Sequence, residues 1–349
     1  MPKIIILSAF ILVNLALIKP LWAYSNVVVS IAPLHSLVLN ITGNSEKTTL
    51  LLKGNENPHS FSIKPSQAEA LQNSDLVVWI GRELEHSLLK PISSLATKAK
   101  SLSMLESETI VKIKSRDHSN FPLKDEHHDG HHDKHTDEHH DGHHDEHTDQ
   151  HHDGHHDEHT DEHHDEHADE HGHHFESIYD PHVWLDPIIA KKAVKLVTRH
   201  LVIIDPENAD IYMNNKKNTL TNLDQLHTDI EKILLSVKDK KFIASHDAYY
   251  YFEKRYGLST QGSVSPAHHT DISASRLAKV VEYTRNNSNV CIFTLPEDKP
   301  KVLKLNILPD DQVYVVDPIG RDITPGPQLY FTLIRNMANN FQECLNKQQ

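Results

Sequence analysis

This sequence has no basic excess. Its 35 Lys and Arg stand against 49 Asp and Glu, a formal net charge of −14. The imbalance is local: residues Asp125–His174 hold 19 of the acids and one of the bases, and the remaining 34 bases and 30 acids nearly cancel. A body without surplus positive charge gives no footing for nucleic acid. The acidity belongs to a solvated insertion, not to the fold. A membrane span is also missing. The apolar run Ile4–Ile18 stops at Lys19-Pro20, short of the ~20 residues that cross a bilayer. With Lys3 before it and Leu21-Trp22-Ala23 after it, the stretch 1–23 reads as a cleaved secretory signal, not an anchor. No cysteine follows Ala23 closely, which argues against an acylated lipoprotein. No His-Glu-x-x-His pattern occurs, so a common zinc-hydrolase signature is absent.

What is present is length for two domains with real cores, 349 residues in all. Export would put Cys291 and Cys344 in an oxidising compartment, where pairing is expected. Closing a loop of that length would stabilise the fold by ~4 kcal/mol in the chain-entropy model. It would tie the last helix to a strand of the second lobe.

Strand and helix patterns alternate, which predicts α/β lobes with parallel sheets. Strands are expected at Val27–Ile31, Thr48–Leu52 and Leu76–Ile80, with helices at Leu34–Thr42, Pro65–Asn73 and Glu83–Ala99. Beyond the insertion, a helix starts at Pro187 and runs to about Leu201. A longer one, Pro206–Val237, has apolar residues at spacings of three and four. It would be about 48 Å long at 1.5 Å per residue, enough to run the height of both lobes and to limit hinge bending. Alternation resumes with strands Phe242–Ser245, Leu258–Val264, Val290–Thr294 and Val313–Val316, and helices Ala248–Tyr256, Ser273–Asn286 and Gln328–Leu345. The plan is a signal at 1–23, a first lobe at 24–205 with an insertion at about 118–174, a connecting helix at 206–237 and a second lobe at 238–349.

The insertion repeats a twelve-residue unit with no side chain larger than Ala168 on offer for a core, so disorder is its default. Its histidines come in adjacent pairs: His127 and His128, His131 and His132, His139 and His140, His143 and His144, His151 and His152, His155 and His156, His163 and His164. They read as a low-affinity metal tether. A flexible segment of this length reaches roughly 40 Å, and its histidines lose metal as pH falls through ~6.5.

Three other histidines have fixed addresses. His59 lies in a Gly/Asn/Pro loop after the second strand. His182 stands in Asp180-Pro181-His182-Val183-Trp184-Leu185, and His246 directly follows Phe242–Ser245. All three are placed at or beyond the carboxyl ends of expected strands, the edge where open α/β sheets bind ligands. Asp317, after Val313–Val316, is placed likewise. A lone loop histidine is usually a surface group, and Asp317-Pro318 could simply form a turn. Convergence on one cleft is what singles these residues out. His35, His86, His200, His227, His268 and His269 lack that context and read as structural or surface groups. Three imidazoles with a water or one carboxylate suit Zn²⁺. Ca²⁺ or Mg²⁺ would want more oxygen ligands.

The same residues carry a family resemblance. Asn57-Pro58-His59 with Pro65-Ser66, the stretch Leu71–Gly81, Asp180–Leu185, Ser245-His246-Asp247-Ala248-Tyr249 and Asp317-Pro318 resemble the cluster A-I metal-binding proteins of ABC transporters. Within them the ZnuA-type periplasmic zinc branch is nearest. The resemblance spans nearly the whole mature chain, and a His/Asp-rich insertion and a terminal cysteine pair are typical of that branch. It implies two pseudo-symmetric lobes joined by a long helix, with Zn²⁺ in the cleft on His59, His182 and His246. Manganese-type relatives carry a glutamate at the position of His246. Zinc members often have an acidic residue where Pro58 stands, so the fourth ligand is open between water, Asp317 and Glu56. The family's Glu-Pro motif is altered here to Leu295-Pro296-Glu297.

The function so implied is high-affinity zinc capture in the periplasm by a monomeric, non-enzymatic protein. It would deliver Zn²⁺ to an inner-membrane ABC permease with a cytoplasmic ATPase. A histidine-rich storage or chaperone protein would need only the insertion and leaves the three placed histidines without a role. A manganese-type binding protein or a zinc hydrolase is a further alternative; the hydrolase would need a general base beside the metal.

Overall fold

In a computed structural model of the chain, residues 25–116, 178–265 and 274–348 are described, apart from 55, 288, 305, 307 and 308. The expected signal stretch 1–23 lies outside them, as do His268 and His269. So does the whole proposed metal tether: His127, His128, His131, His132, His139, His140, His143, His144, His151, His152, His155, His156, His163 and His164 all fall outside the described residues. No helix among the described residues is long and apolar enough to cross a membrane.

The first lobe contains β1 (Val27–Val29), α1 (Ala32–Thr42), β2 (Thr48–Leu50), α2 (Pro65–Gln72), β3 (Leu76–Trp79), α3 (Leu89–Leu95), β4 (Lys100–Ser103) and α4 (Pro187–Ile204). A connecting helix α5 (Ala209–Leu234) follows, extended at both ends by 3-10 turns at Pro206–Asn208 and Leu235–Val237. The second lobe contains β5 (Lys241–His246), α6 (Tyr250–Tyr256), β6 (Ser259–Ser265), α7 (Ala274–Asn286), β7 (Cys291–Thr294), α8 (Lys299–Lys304), β8 (Val313–Val315) and α9 (Leu329–Asn346).

Each lobe has one four-stranded parallel sheet, ordered β2-β1-β3-β4 in the first and β6-β5-β7-β8 in the second. The order is the same in both, which is the pseudo-symmetry the family resemblance implies. Parallel sheets covered on both faces need apolar residues at successive positions, and Val27-Val28-Val29 and Leu76-Val77-Val78-Trp79 supply them, all buried. Val27, Val29, Leu76 and Val78 face the central core, whereas Val28, Val77 and Trp79 face an outer cluster with Leu71, Leu88 and Ile92. The central core is continuous through both lobes. Leu223, Leu226 and Ile230 of α5 join it with Phe242, Phe293 and Phe341 of the second lobe. Helix α5 packs against α1, α4 and α9, so it touches elements of both lobes.

Two expected helices differ in detail. The span predicted at Glu83–Ala99 is α helix only at Leu89–Leu95, after a 3-10 turn at His86–Leu88. Pro91 explains the late start. It has no N–H to give and its ring clashes with a carbonyl four residues back, so it fits only in a first turn. The connecting helix has the predicted limits, with its end turns tightened. Two elements were not expected. The strand β4 is half exposed at an edge, with Lys100 and Ser101 outside and Leu102 and Ser103 buried, and α8 is only six residues long.

Cys291 of β7 and Cys344 of α9 form a disulfide. It joins the last helix to a central strand of the second sheet, where Cys291 pairs opposite Phe242.

Candidate metal centre

His59, His182 and His246 come together: one ligand nitrogen from each lies within 4.8 Å of the others. The ring centroids are 5.7 Å apart for His59 and His182, 5.6 Å for His59 and His246, and 5.5 Å for His182 and His246. Interplanar angles of 61°, 69° and 75° turn the rings edge to face. Stacking alone does not require three such rings at one point, whereas a tetrahedral ion offers them three convergent directions.

His59 belongs to the loop between β2 and α2. The Asn57 side chain accepts its backbone N–H at 3.0 Å, an Asx turn that shapes the loop. His246 is the last residue of β5, paired opposite Ser265, one position earlier than a residue following the strand. Its carbonyl accepts the Ala248 N–H at 3.0 Å, which turns the chain sharply into α6.

His182 follows no strand of a sheet, contrary to the expectation. It stands before a 3-10 turn at Val183–Leu185, and the chain around it returns through an isolated antiparallel bridge between Lys114 and Tyr179. It is the most buried of the three, 1% exposed. Asp180 Oδ1 accepts its backbone N–H at 2.8 Å and meets its Nδ1 at 2.9 Å. A carboxylate has no proton to give, so Nδ1 carries the hydrogen and Nε2 is the ring's lone-pair donor. Asp180 is the site residue the sequence reading did not assign. Its signal is an acid two places before a histidine, the spacing at which a side chain reaches forward to a backbone N–H.

Neither carboxylate proposed as a fourth ligand joins the cluster. Asp317 accepts the N–H groups of Ile319 at 3.0 Å and Arg321 at 2.6 Å, so it caps its own turn. Glu56 accepts the Lys53 N–H at 2.8 Å and pairs with Lys64 at 2.8 Å and with Gln67. Burial works against its charge, but Lys64, the Lys53 N–H and Gln67 outweigh this and hold its pKa below the usual carboxylate value. Pro58, a departure from the pattern of the family resemblance, lines a cavity with Glu56 and Arg321. Glu297 of the altered motif pairs with Arg321 at 2.5 Å. Of the remaining described histidines, His35 is buried, with Nε2 3.0 Å from the Thr48 carbonyl, and its pKa is lowered chiefly by burial. His200 and His227 sit on α4 and α5.

The lobes meet around this point. The Trp184 indole N–H donates to the Pro318 carbonyl at 2.8 Å, and the Tyr330 hydroxyl donates to the Trp184 carbonyl at 2.8 Å. Trp184 also packs its ring 5.2 Å from that of His182.

A family model described as zinc-uptake complex component A, periplasmic, matches residues 27–344. The high-affinity zinc uptake system protein ZnuA of Brucella suis biovar 1 is 39% identical over 322 residues, 92% of this chain and 92% of that relative. Its counterpart of the same name in Haemophilus influenzae is 36% identical over 350 residues, covering 99% of this chain and 100% of the relative. Among solved structures, a periplasmic zinc-binding protein of Treponema pallidum matches with a TM-score of 0.65 at 17% identity, over 93% of this chain and 99% of that one. The last likeness speaks for the fold.

Proposed function

The chain belongs to the family of periplasmic zinc-uptake components, and from that premise we propose that it captures Zn²⁺ in the periplasm and hands it to a membrane permease driven by an ATPase. His59, His182 and His246 are the ligands in this reading, and the observation that carries it is their convergence from both lobes within 4.8 Å. Three neutral imidazoles favour zinc over manganese, which does better with carboxylate in the set. With Glu56 and Asp317 committed to their own loops, water completes a four-coordinate shell. The function is binding and delivery, not catalysis, and the protein acts as a monomer. Residues 1–23 direct export and are removed. The insertion histidines form a weaker, multi-site trap that keeps zinc at high local concentration near the tight site.

Calorimetric titration with zinc and with manganese tests this, using the protein without residues 126–173 and the same protein carrying His246→Ala. One tight zinc site, preferred over manganese and lost in the mutant, is the expected result. If no tight site survives without the insertion, the placed histidines are structural and the storage reading takes over.

A further inference from the structure

Around the His-rich insertion the chain forms a short two-stranded neck. Ser115 N–H donates to the Ile178 carbonyl at 3.0 Å, Asp180 N–H donates to the Ile113 carbonyl at 3.0 Å, and Lys114 bridges Tyr179. Although this neck leaves the first lobe, it rests on α6 of the second. The Tyr251 hydroxyl accepts the Ile113 N–H at 3.0 Å and donates to the Asp180 carbonyl at 3.1 Å.

One neck strand carries Asp180, whose side chain holds His182. The other ends in Arg116, whose guanidinium reaches across to Asp247, the residue after His246. Its Nε donates to Asp247 Oδ2 at 3.1 Å and its Nη2 to Oδ1 at 2.5 Å. The same group donates from Nη1 and Nη2 to the two Glu253 oxygens at 2.8 and 2.7 Å. It lies 4.0 Å from the centroid of the Tyr250 ring. Side-chain exposures of 11% for Arg116, 10% for Asp247 and 4% for Glu253 make this a buried network. Burial works against the Arg116 charge, yet Glu253 and Asp247 outweigh it and raise its pKa. A planar fork facing two carboxylates is directional in a way a lysine is not.

We propose that Arg116 is an inter-lobe latch: through Asp247 it positions His246 against His182, and metal leaves when the latch opens. The bend between β5 and α6 cannot shift while both Asp247 oxygens are held from the neck. That bend carries His246. The same neck fixes Asp180, so one short ribbon sets the separation of two of the three imidazoles. Arg116 touches no ligand nitrogen and acts as a positioning residue. The inference rests on the zinc-site reading given above.

Removing Arg116 alone would strand two buried carboxylates, so the test pairs Arg116→Lys with the charge-neutral triple variant R116M/D247N/E253Q, both in the full chain. The measurements are the zinc dissociation rate, by transfer to an excess chromophoric chelator, and the ligand-field spectrum of the Co²⁺-substituted site. The triple variant should release zinc about tenfold faster, the low end of what outer-shell changes do to metal sites, and shift the Co²⁺ bands. Arg116→Lys should recover part of the loss. An unchanged dissociation rate and spectrum in the triple variant, even with a lowered melting temperature, would overturn the latch and leave Arg116 a structural ion pair. If the parent protein without residues 126–173 binds no zinc tightly, the site reading fails and the latch with it.

Discussion

Asp180 offers the sharpest test of how the site is prepared for metal. One carboxylate oxygen accepts both the backbone N–H and the Nδ1–H of His182, at 2.8 and 2.9 Å. The residue is 4% exposed, so water does not compete well for either bond. Asp180→Asn retains an acceptor oxygen but removes the charge. Charge-assisted bonds are roughly twice as strong as neutral ones, and outer-shell partners of ligating histidines are worth 10- to 100-fold in metal affinity. Asp180→Asn should therefore weaken zinc binding by about tenfold, or ~1.4 kcal/mol. Asp180→Ala loses both bonds and lets the ring choose either tautomer, so its loss should approach ~100-fold. Chelator competition gives the affinities, and urea unfolding of the metal-free proteins gives the cost to the fold alone, about 1 kcal/mol for a lost hydrogen bond. If Asp180→Ala binds zinc within threefold of the parent, tautomer control by Asp180 plays no part in binding.

A second prediction concerns Glu85, fully buried in the first lobe, with the Ser30 hydroxyl and the Gly81 and Ile80 N–H groups as donors to it. Burial pushes its pKa up from 4.5 to about 7. The folded state thus holds a proton that the unfolded state gives up, and stability contributed below pH 4.5 is lost as pH rises through 7. The loss is about 3 kcal/mol for a shift of that size. Glu85→Gln should flatten the metal-free urea midpoint between pH 5 and 8, and an unaltered slope would count against it. A third concerns motion. The Ser36 hydroxyl donates to the Pro327 carbonyl at 2.9 Å, and Trp184 and Tyr330 link the lobes near the site. Solution scattering should give the same radius of gyration with and without zinc, and a clear fall on adding zinc would exclude this picture.

Much of the fold is legible because its strands are buried on both faces. Runs such as Val27–Val29 and Leu76–Trp79 leave no polar side and can belong only inside. The strand β4 is not legible for the opposite reason: Lys100-Ser101-Leu102-Ser103 has a single apolar residue, and an edge strand needs no more. Apolar spacing continues upstream of Pro91 and suggests a longer helix, while the proline's missing N–H decides where α3 can begin. At the site, the convergence of His59, His182 and His246 follows from motifs at strand ends and loops. Arg116 did not stand out, since it borders a charged low-complexity segment and its partner Asp247 is 131 positions away. Asp317 looked like a ligand by placement, but a carboxylate at the start of a turn has backbone N–H groups much closer to hand than a metal.

The three imidazoles are not held alike, and this bears on how a metal would be captured. His182 is fixed from all sides: Asp180 holds its ring and backbone, Trp184 packs on it, and Trp184 is bonded to the second lobe. His246 is anchored as the end of a paired strand. His59 is only partly buried, in a loop whose shape comes from the short-range turn at Asn57 and the Asn57–Ser60 bridge. All three nonetheless converge, with one ligand nitrogen from each within 4.8 Å of the others. A site so divided needs no wide closure to complete its shell. Under the latch proposed above, release would follow from disturbing His182 and His246, the pair that the neck holds together.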